Sequence, residues 1–431
     1  MGKTEDALSI WCSASNIEFK NKEAEEAYKN RAKRIADAIQ LKVPDRVPIT
    51  PIVNFFPAKY VGITVEECMY DYKKAYAAYK KTTLDFQFDA ILTPNAALPG
   101  RVLEALDYKQ LRWAGHGVAP DSTYQFVEGE YMKANEYDVF LEDPSDFIIR
   151  TYLPRACGVL QPFQKLPPLI MAAQYYIGLF FMLRSLLLSS SGNAIESINK
   201  AIAEFATWAA VIVPYSKEMK ELGFPSLRGG ATQAPFDTLG DALRGTKGIM
   251  LDMYRQPDNV LRAVDKLLPS AIQMGVMGAR AAGDPFVFIP LHKGAMGFMS
   301  LDQFKKFYWP TFQKLLLGLI DEGIIPVVAV EANYDDRLET IKDIPPGKAI
   351  YWFELTDMAK AKEVLGNRVC IRGNVPASLL CSAKPQEVTN YCRKLIEVAG
   401  KGGGFIMDGS IGIPDEAKIE NVYAMRNATE K

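Results

Sequence analysis

Phe286-Val-Phe-Ile-Pro-Leu-His292-Lys-Gly-Ala-Met-Gly-Phe-Met-Ser300 opens the stretch that decides the fold, and the same pattern runs on to Asp336. An apolar run of this length bounded by glycine reads as a buried strand, and it leaves His292 where the strand empties into a loop. Ser300 and Gln303 make a capping box at the head of an amphipathic helix through Phe304, Phe307, Phe312, Leu315 and Leu319, which Gly323 stops. A second unit follows at once. Ile324 to Val330 is a β-branched run of the doubly buried, parallel-sheet type, ending in Glu331-Ala-Asn333 before a charged helix expected near Tyr334. Two strands of one parallel sheet therefore carry His292 and Glu331 to the same rim.

Working outward, the same unit recurs. Strands are expected at Arg46 to Val53, Asp89 to Thr93 and Ser226 to Ala231 before this stretch. Ala349 to Glu354, Arg368 to Arg372 and Gly404 to Asp408 follow it, each with a helix behind it. Eight strand-helix alternations select a closed (β/α)8 barrel over an open doubly wound sheet, which needs fewer strands and usually a Gly-rich phosphate turn. Gly402-Gly-Gly404 precedes a strand instead of following one, so that turn is missing. Residues 1–45 form an N-terminal helical extension whose charged helix, Asn21 to Ile39, reads as a solvated face. Residues 46–431 form the barrel. Within it, residues 98–223 are a helical insertion between strands two and three, expected to cap the barrel mouth. The insertion includes Leu169 to Leu188, almost uncharged, read as a buried or lid helix and not as a membrane span.

Composition narrows the function class. The chain has 431 residues, 48% of them hydrophobic, enough for a large core, and 50 Lys+Arg against 51 Asp+Glu give a net charge of -1. With no basic run, nucleic acid is not expected as a partner on charge grounds. Six cysteines without a C-x-x-C pair, and a polar start without an apolar leader, point to the cytoplasm.

Active sites of such barrels lie at the carboxyl ends of the strands. Those ends present Asn54, Asn95, Gln233, His292, Glu331 with Asn333, Glu354, Asn374, and Asp408 with Ser410. A carboxylate such as Glu331, coming straight after an apolar run, is costly to bury unless paired, and His292 is flanked by Lys and Gly. These two are the candidate acid-base or metal-ligating pair, with Asp408 beside them as a catalytic candidate. Asn54, Asn95, Gln233, Asn333, Glu354, Asn374 and Ser410 are candidate substrate-binding groups. Lys293 and Asp237 read as salt-bridge or helix-start residues.

Asp45-Arg46-Val47-Pro48, Ala234-Pro235-Phe236, Ser300-Leu-Asp-Gln-Phe304, Gly373-Asn374-Val-Pro376 and Gly409-Ser-Ile-Gly-Ile-Pro414 fall in the order and spacing of a known family. Over roughly residues 45–428 the chain resembles the uroporphyrinogen decarboxylase superfamily, which holds decarboxylases and corrinoid-dependent methyltransferases on (β/α)8 barrels. The decarboxylases carry an Arg-bearing loop after strand one and a histidine turn after strand eight; Asn54-Phe-Phe-Pro57 and Gly409-Ser410 stand there instead. Thiol-methylating members carry a His-x-Cys zinc motif after strand five and a cysteine after strand eight, where this chain has Ala329-Val-Glu331 and Ser410. The resemblance thus implies an enzyme moving a methyl group from a small O-, N- or S-methyl substrate to a corrinoid (cobalamin) on a separate carrier protein. His292 and Glu331 would be candidate zinc ligands, and a homodimer is left open. A decarboxylase of a tetrapyrrole or other acid is the alternative expectation, and a non-catalytic binding protein the third.

Overall fold

In the computed structural model, which describes residues 2–94, 98–188, 191–410 and 412–430, eight extended segments close into a ring. Six are hydrogen-bonded strands in a continuous parallel sheet: Gly230–Ala231, Phe286–Leu291, Ile325–Val330, Ile350–Phe353, Cys370–Val375 and Phe405–Gly409. The remaining two close it. Thr50 N–H donates to Met407 O at 3.2 Å and Met407 N–H to Pro48 O at 2.8 Å, tying the first segment to the last strand. Asp89 N–H then reaches Ile49 O at 2.9 Å, and Ile91 N–H reaches Pro225 O at 3.0 Å. The chain is therefore the eight-fold α/β barrel expected.

The first segment is held by isolated bridges, not by the regular strand expected over Arg46 to Val53. Pro48 and Pro51 remove two ladder donors from it. The third strand shrinks to Gly230–Ala231, where the helix Pro257–Ala282 comes close: a Cβ on Gly278 would lie 2.8 Å from Gly230 Cα. Conversely the seventh strand runs on through Gly373 and Asn374 to Val375, so Asn374 is a strand residue. The charged helix expected near Tyr334 contracts to Leu338–Ile341, because Arg337 turns inward instead of lying on a solvated face. The last helix is Ile419–Asn427.

The N-terminal extension closes the amino-terminal end of the barrel. Helix Lys22–Ile39, capped by Asn21, buries Tyr28, Ala32, Ile35 and Ile39, and a second, unexpected helix, Lys3–Ser13, buries Leu8 and Trp11. These pack against Phe286, Ile325, Ile350, Cys370 and Ile406, the first or second residues of their strands. The helix is thus amphipathic, its Glu/Lys pairs lying on the outer face only. Asp89, fully buried, accepts from Arg34 at 2.6 Å, from Arg46 at 2.9 Å and from Ile49 N–H at 2.8 Å, clamping this extension to the first two barrel segments.

Residues 98–223 form an insertion of helices with a small three-stranded sheet at Leu111–Ala114, Gly117–Val118 and Gln125–Phe126. Leu169 to Leu188 differs from the buried helix expected. It divides into a short 3-10 turn, Leu169–Ala173, and a helix, Tyr175–Leu188, which packs on that turn and on the long helix Ser191–Glu221. Tyr175, Phe180, Leu187 and Leu188 are exposed. A helix apolar on all sides cannot be covered by one flat neighbour. Among the described residues no helix is long and apolar enough to cross a membrane.

Candidate active site

The register of the fourth and fifth barrel strands builds the site. Leu291 pairs with Val330, so the next rung places His292 beside Glu331 at the carboxyl rim. Their side chains face each other, His292 Nε2 lying 3.7 Å from Glu331 Oε1. The imidazole is 28% exposed and the carboxylate 47%, so the gap between them is reached from outside.

His292 is positioned from behind. Asp241 Oδ2 lies 2.5 Å from Nδ1, which fixes the ring and leaves Nε2 pointing into the mouth. Its backbone N–H and that of Lys293 donate to Asp237 at 3.1 and 2.9 Å, and the Tyr308 hydroxyl donates to the same carboxylate at 2.6 Å. Lys293 Nζ closes the cluster on Asp241 at 2.9 Å. Asp241 and Tyr308 both come from wide π turns, Thr238–Arg244 and Phe304–Tyr308, which aim side chains a regular helix would turn elsewhere.

The electrostatics follow from this packing. Burial pushes the His292 imidazolium down, but the Asp241 hydrogen bond and the charges of Asp237, Asp241 and Glu331 outweigh it and raise the ring to about 9. His292 is therefore protonated at neutral pH. Burial raises the Glu331 carboxyl and, while His292 opposes it, the nearby Glu354 charge adds to the rise. Burial and the neighbouring Asp241 raise Asp237, with His292 and Tyr308 holding it back. Burial would also raise Asp241, yet its bonds to His292 and Lys293 keep it below the usual range.

The loop beyond Glu331 is locked and strained. Ala332 is left-handed at φ 59°, a conformation costing about 1–2 kcal/mol for a non-glycine residue. Its N–H donates to Glu354 Oε2 at 2.5 Å. Arg337, fully buried, donates to Gly294 O at 2.7 Å, Ala295 O at 3.1 Å and Met299 O at 2.6 Å, pinning the His292 loop to the Glu331 loop. Met296 and Leu355 stand exposed at the rim, 48% and 62%, beside these polar groups.

Other expected residues are placed differently. Asp408, fully buried, pairs with Arg372 at 2.8 Å inside the barrel and is not grouped with His292. Burial raises it to about 6 against the pull of Arg372. Asn374 donates to the carbonyls of Glu354 and Thr356 at 3.1 and 2.9 Å, and Asn333 to Asp335 at 3.2 Å; both brace loops. Ser410 is buried with its N–H on Val375 O at 2.8 Å. Asn54 is exposed, its carbonyl accepting from Tyr79, and Gln233 makes no side-chain hydrogen bond among the described residues. Asn95 lies outside the described residues. The supporting residues Asp237, Asp241, Lys293 and Tyr308 were absent from the expected site; the sequence signal for the first two is their i, i+4 spacing, which puts two carboxylates on one helix face.

A zinc ion takes three protein ligands in a catalytic site and four in a structural one. Among the described residues no three His, Cys, Asp or Glu side chains are grouped to hold a metal. The His292 and Glu331 pair does not fit zinc.

An eight-fold barrel with an acid-base pair at its carboxyl rim defines an enzyme-like class. Comparison with known proteins narrows it. Residues 219–431 match the family described as Uroporphyrinogen decarboxylase (URO-D). A uroporphyrinogen decarboxylase of Cellvibrio japonicus is 26% identical over 180 residues, 41% of this chain and 49% of the relative. One from Methylococcus capsulatus is 25% identical over 204 residues, 46% and 56% of the two chains. The chain thus spans about half the length of the curated relatives it matches. In fold it resembles a methyltransferase from Methanosarcina mazei, with a TM-score of 0.61 at 15% identity over 94% of this chain and 98% of that one. The likeness to the uroporphyrinogen decarboxylase family thus lies in the C-terminal half of the chain.

Proposed function

We propose that the protein moves a methyl group from a small O-, N- or S-methyl compound to a corrinoid held on a separate carrier protein. The observation that supports this reading is the protonated His292, held by Asp241, with Nε2 directed across an accessible mouth toward Glu331. Alkoxide, amine and thiolate are poor leaving groups until a proton or a metal neutralises them. His292 supplies that proton from Nε2 to the leaving heteroatom, which sits beside the pair within hydrogen-bond reach of Nε2 and on the open side of Glu331. Asp241 keeps the ring oriented as the proton leaves, and Glu331 accepts a hydrogen bond from the substrate or returns a proton to Nε2. Asp237 and Tyr308 act as positioning residues, holding the loop that carries His292. The corrinoid supplies the nucleophilic cobalt. The open rim with Met296 and Leu355 offers a planar apolar macrocycle a surface to approach.

A second reading, decarboxylation of an acidic substrate, draws on the decarboxylases among the relatives, and His292 could there protonate carbon. One experiment separates the two. The purified full chain is incubated with cob(I)alamin and a panel of methoxy, methylamine and methylthio compounds, and loss of the cob(I)alamin spectrum is followed beside carbon dioxide release from a porphyrinogen. Donor-dependent loss of the spectrum supports methyl transfer. Carbon dioxide release with no such loss overturns it.

A further inference from the structure

Inside the barrel, below the mouth, lies a cationic cavity that the proposed chemistry does not use. It measures about 30 Å³ and is lined by Thr50, Thr93, Arg228, Phe288, Val327 and Arg372, among others. That is room for about two water-sized atoms. Arg228 stacks its guanidinium 4.9 Å over the Phe288 ring and makes no side-chain hydrogen bond or ion pair among the described residues; its Nε is buried without a partner. On the other side the Thr50 hydroxyl, 2% exposed, is likewise buried and unpartnered. Arg372 spends Nε and Nη2 on Asp408 and on the Thr50 carbonyl, leaving Nη1 without a hydrogen bond among the described residues. Of the two guanidinium groups, only that of Arg372 therefore has a carboxylate partner among the described residues.

An arginine cannot shed its proton, and a buried charge without a counterion is costly. We propose that this cavity is a carboxylate-binding subsite, in which Arg228, Thr50 and the free edge of Arg372 hold the acid group of a small ligand. Three considerations favour a carboxylate over a water: the surplus positive charge, the planar fork that matches two oxygens, and a hydroxyl donor left over. Phe288 precedes His292 by four residues, so the subsite lies on the order of 10 Å below the proton donor, given about 3.3 Å per strand residue. A carboxylate there belongs either to a free short acid or to the far end of a substrate reaching up to the mouth.

The test is thermal unfolding of the full chain in sodium formate, sodium acetate and sodium chloride at fixed ionic strength, compared with Arg228→Met and Arg228→Lys. The expected result is a saturable rise in melting temperature with formate or acetate, equivalent to about a 100-fold shift in the folding equilibrium at 100 times the Kd. Arg228→Met should lose that dependence while melting no lower than wild type in anion-poor buffer, because it removes an uncompensated charge. Arg228→Lys should retain part of it. An unchanged formate response in Arg228→Met overturns the proposal, as does chloride saturating at lower concentration than formate. An absent response in wild type overturns it too. The two carboxylate sources are separated by turnover: a higher KM in Arg228→Lys for an acid-bearing methyl donor, and not for a neutral one, places the substrate there. That arm rests on the methyl-transfer reading, whereas the melting experiment stands without it.

Discussion

Asp241→Asn tests the electrostatics of the site directly. In wild type the His292 ring is raised from 6.5 to about 9 against the opposing effect of burial, and the largest upward contribution is the hydrogen bond to Asp241 at 2.5 Å. A hydrogen bond to a charged group contributes about 1.5–3 kcal/mol, and each pH unit corresponds to 1.36 kcal/mol. Removing the charge while keeping the shape should therefore lower the His292 pKa by about 1 to 2 pH units. The chain has only two histidines, His116 and His292, so a histidine-selective NMR titration yields two curves that a His116→Gln sample assigns. The wild-type His292 curve should have its midpoint near 9, and Asp241→Asn should move it toward neutrality. The alkaline limb of any activity profile should move with it, since the acid form is lost at lower pH. A wild-type midpoint at or below 6.5, or a midpoint indifferent to Asp241→Asn, would refute the assignment of His292 as a standing proton donor.

Further outcomes follow from the same structure. Because the folded pKa of His292 lies above its unfolded value, its contribution to stability is fully present below about 6.5 and is lost as pH rises through about 9. The stability difference between wild type and His292→Gln, measured by urea unfolding, should accordingly shrink by about 3 kcal/mol from pH 6 to pH 10; no shrinkage would contradict the raised pKa. Asp408→Ala strands Arg372 as a buried cation and should cost about 3–5 kcal/mol in the same assay, whereas a loss below 1 kcal/mol would show that the pair is not the buried lock described. Tyr308→Phe removes one donor from Asp237 and should cost about 1.5–3 kcal/mol. If methyl transfer is detected, that variant should lower kcat more than it raises KM, since Tyr308 holds the catalytic loop and does not reach the substrate.

How much of this was legible in the chain depends on what kind of information each part needs. His292 and Glu331 were readable because two consecutive apolar runs of matching length fix a parallel register, and the residue after each run then falls on the same rung. The barrel followed from counting such runs, although Pro48 and Pro51 made the first of them a bridge and not a ladder. The supporting shell was harder. Asp237 and Asp241 follow a proline at a helix start, where carboxylates usually serve as caps, and only the π turn reveals that Asp241 points at the imidazole. Asn333 and Asn374 sit at the rim and Asp408 inside the barrel, but their hydrogen bonds go to Asp335, to backbone carbonyls and to Arg372, partners that no local pattern specifies. The charged N-terminal helix misled for a similar reason, since its alternating Glu and Lys hide a stripe of Ala, Tyr and Ile that only the strand starts of the barrel explain.

The central claim, that His292 hands a proton to the leaving group across the gap from Glu331, is tested most directly by donor-dependent consumption of cob(I)alamin at neutral pH in wild type, His292→Gln and Glu331→Gln. The expected result is a fall of about 100-fold or more for His292→Gln, within the 10²–10⁴ range typical of general acid catalysis, and a smaller fall for Glu331→Gln. Consumption that continues undiminished in both variants would contradict it.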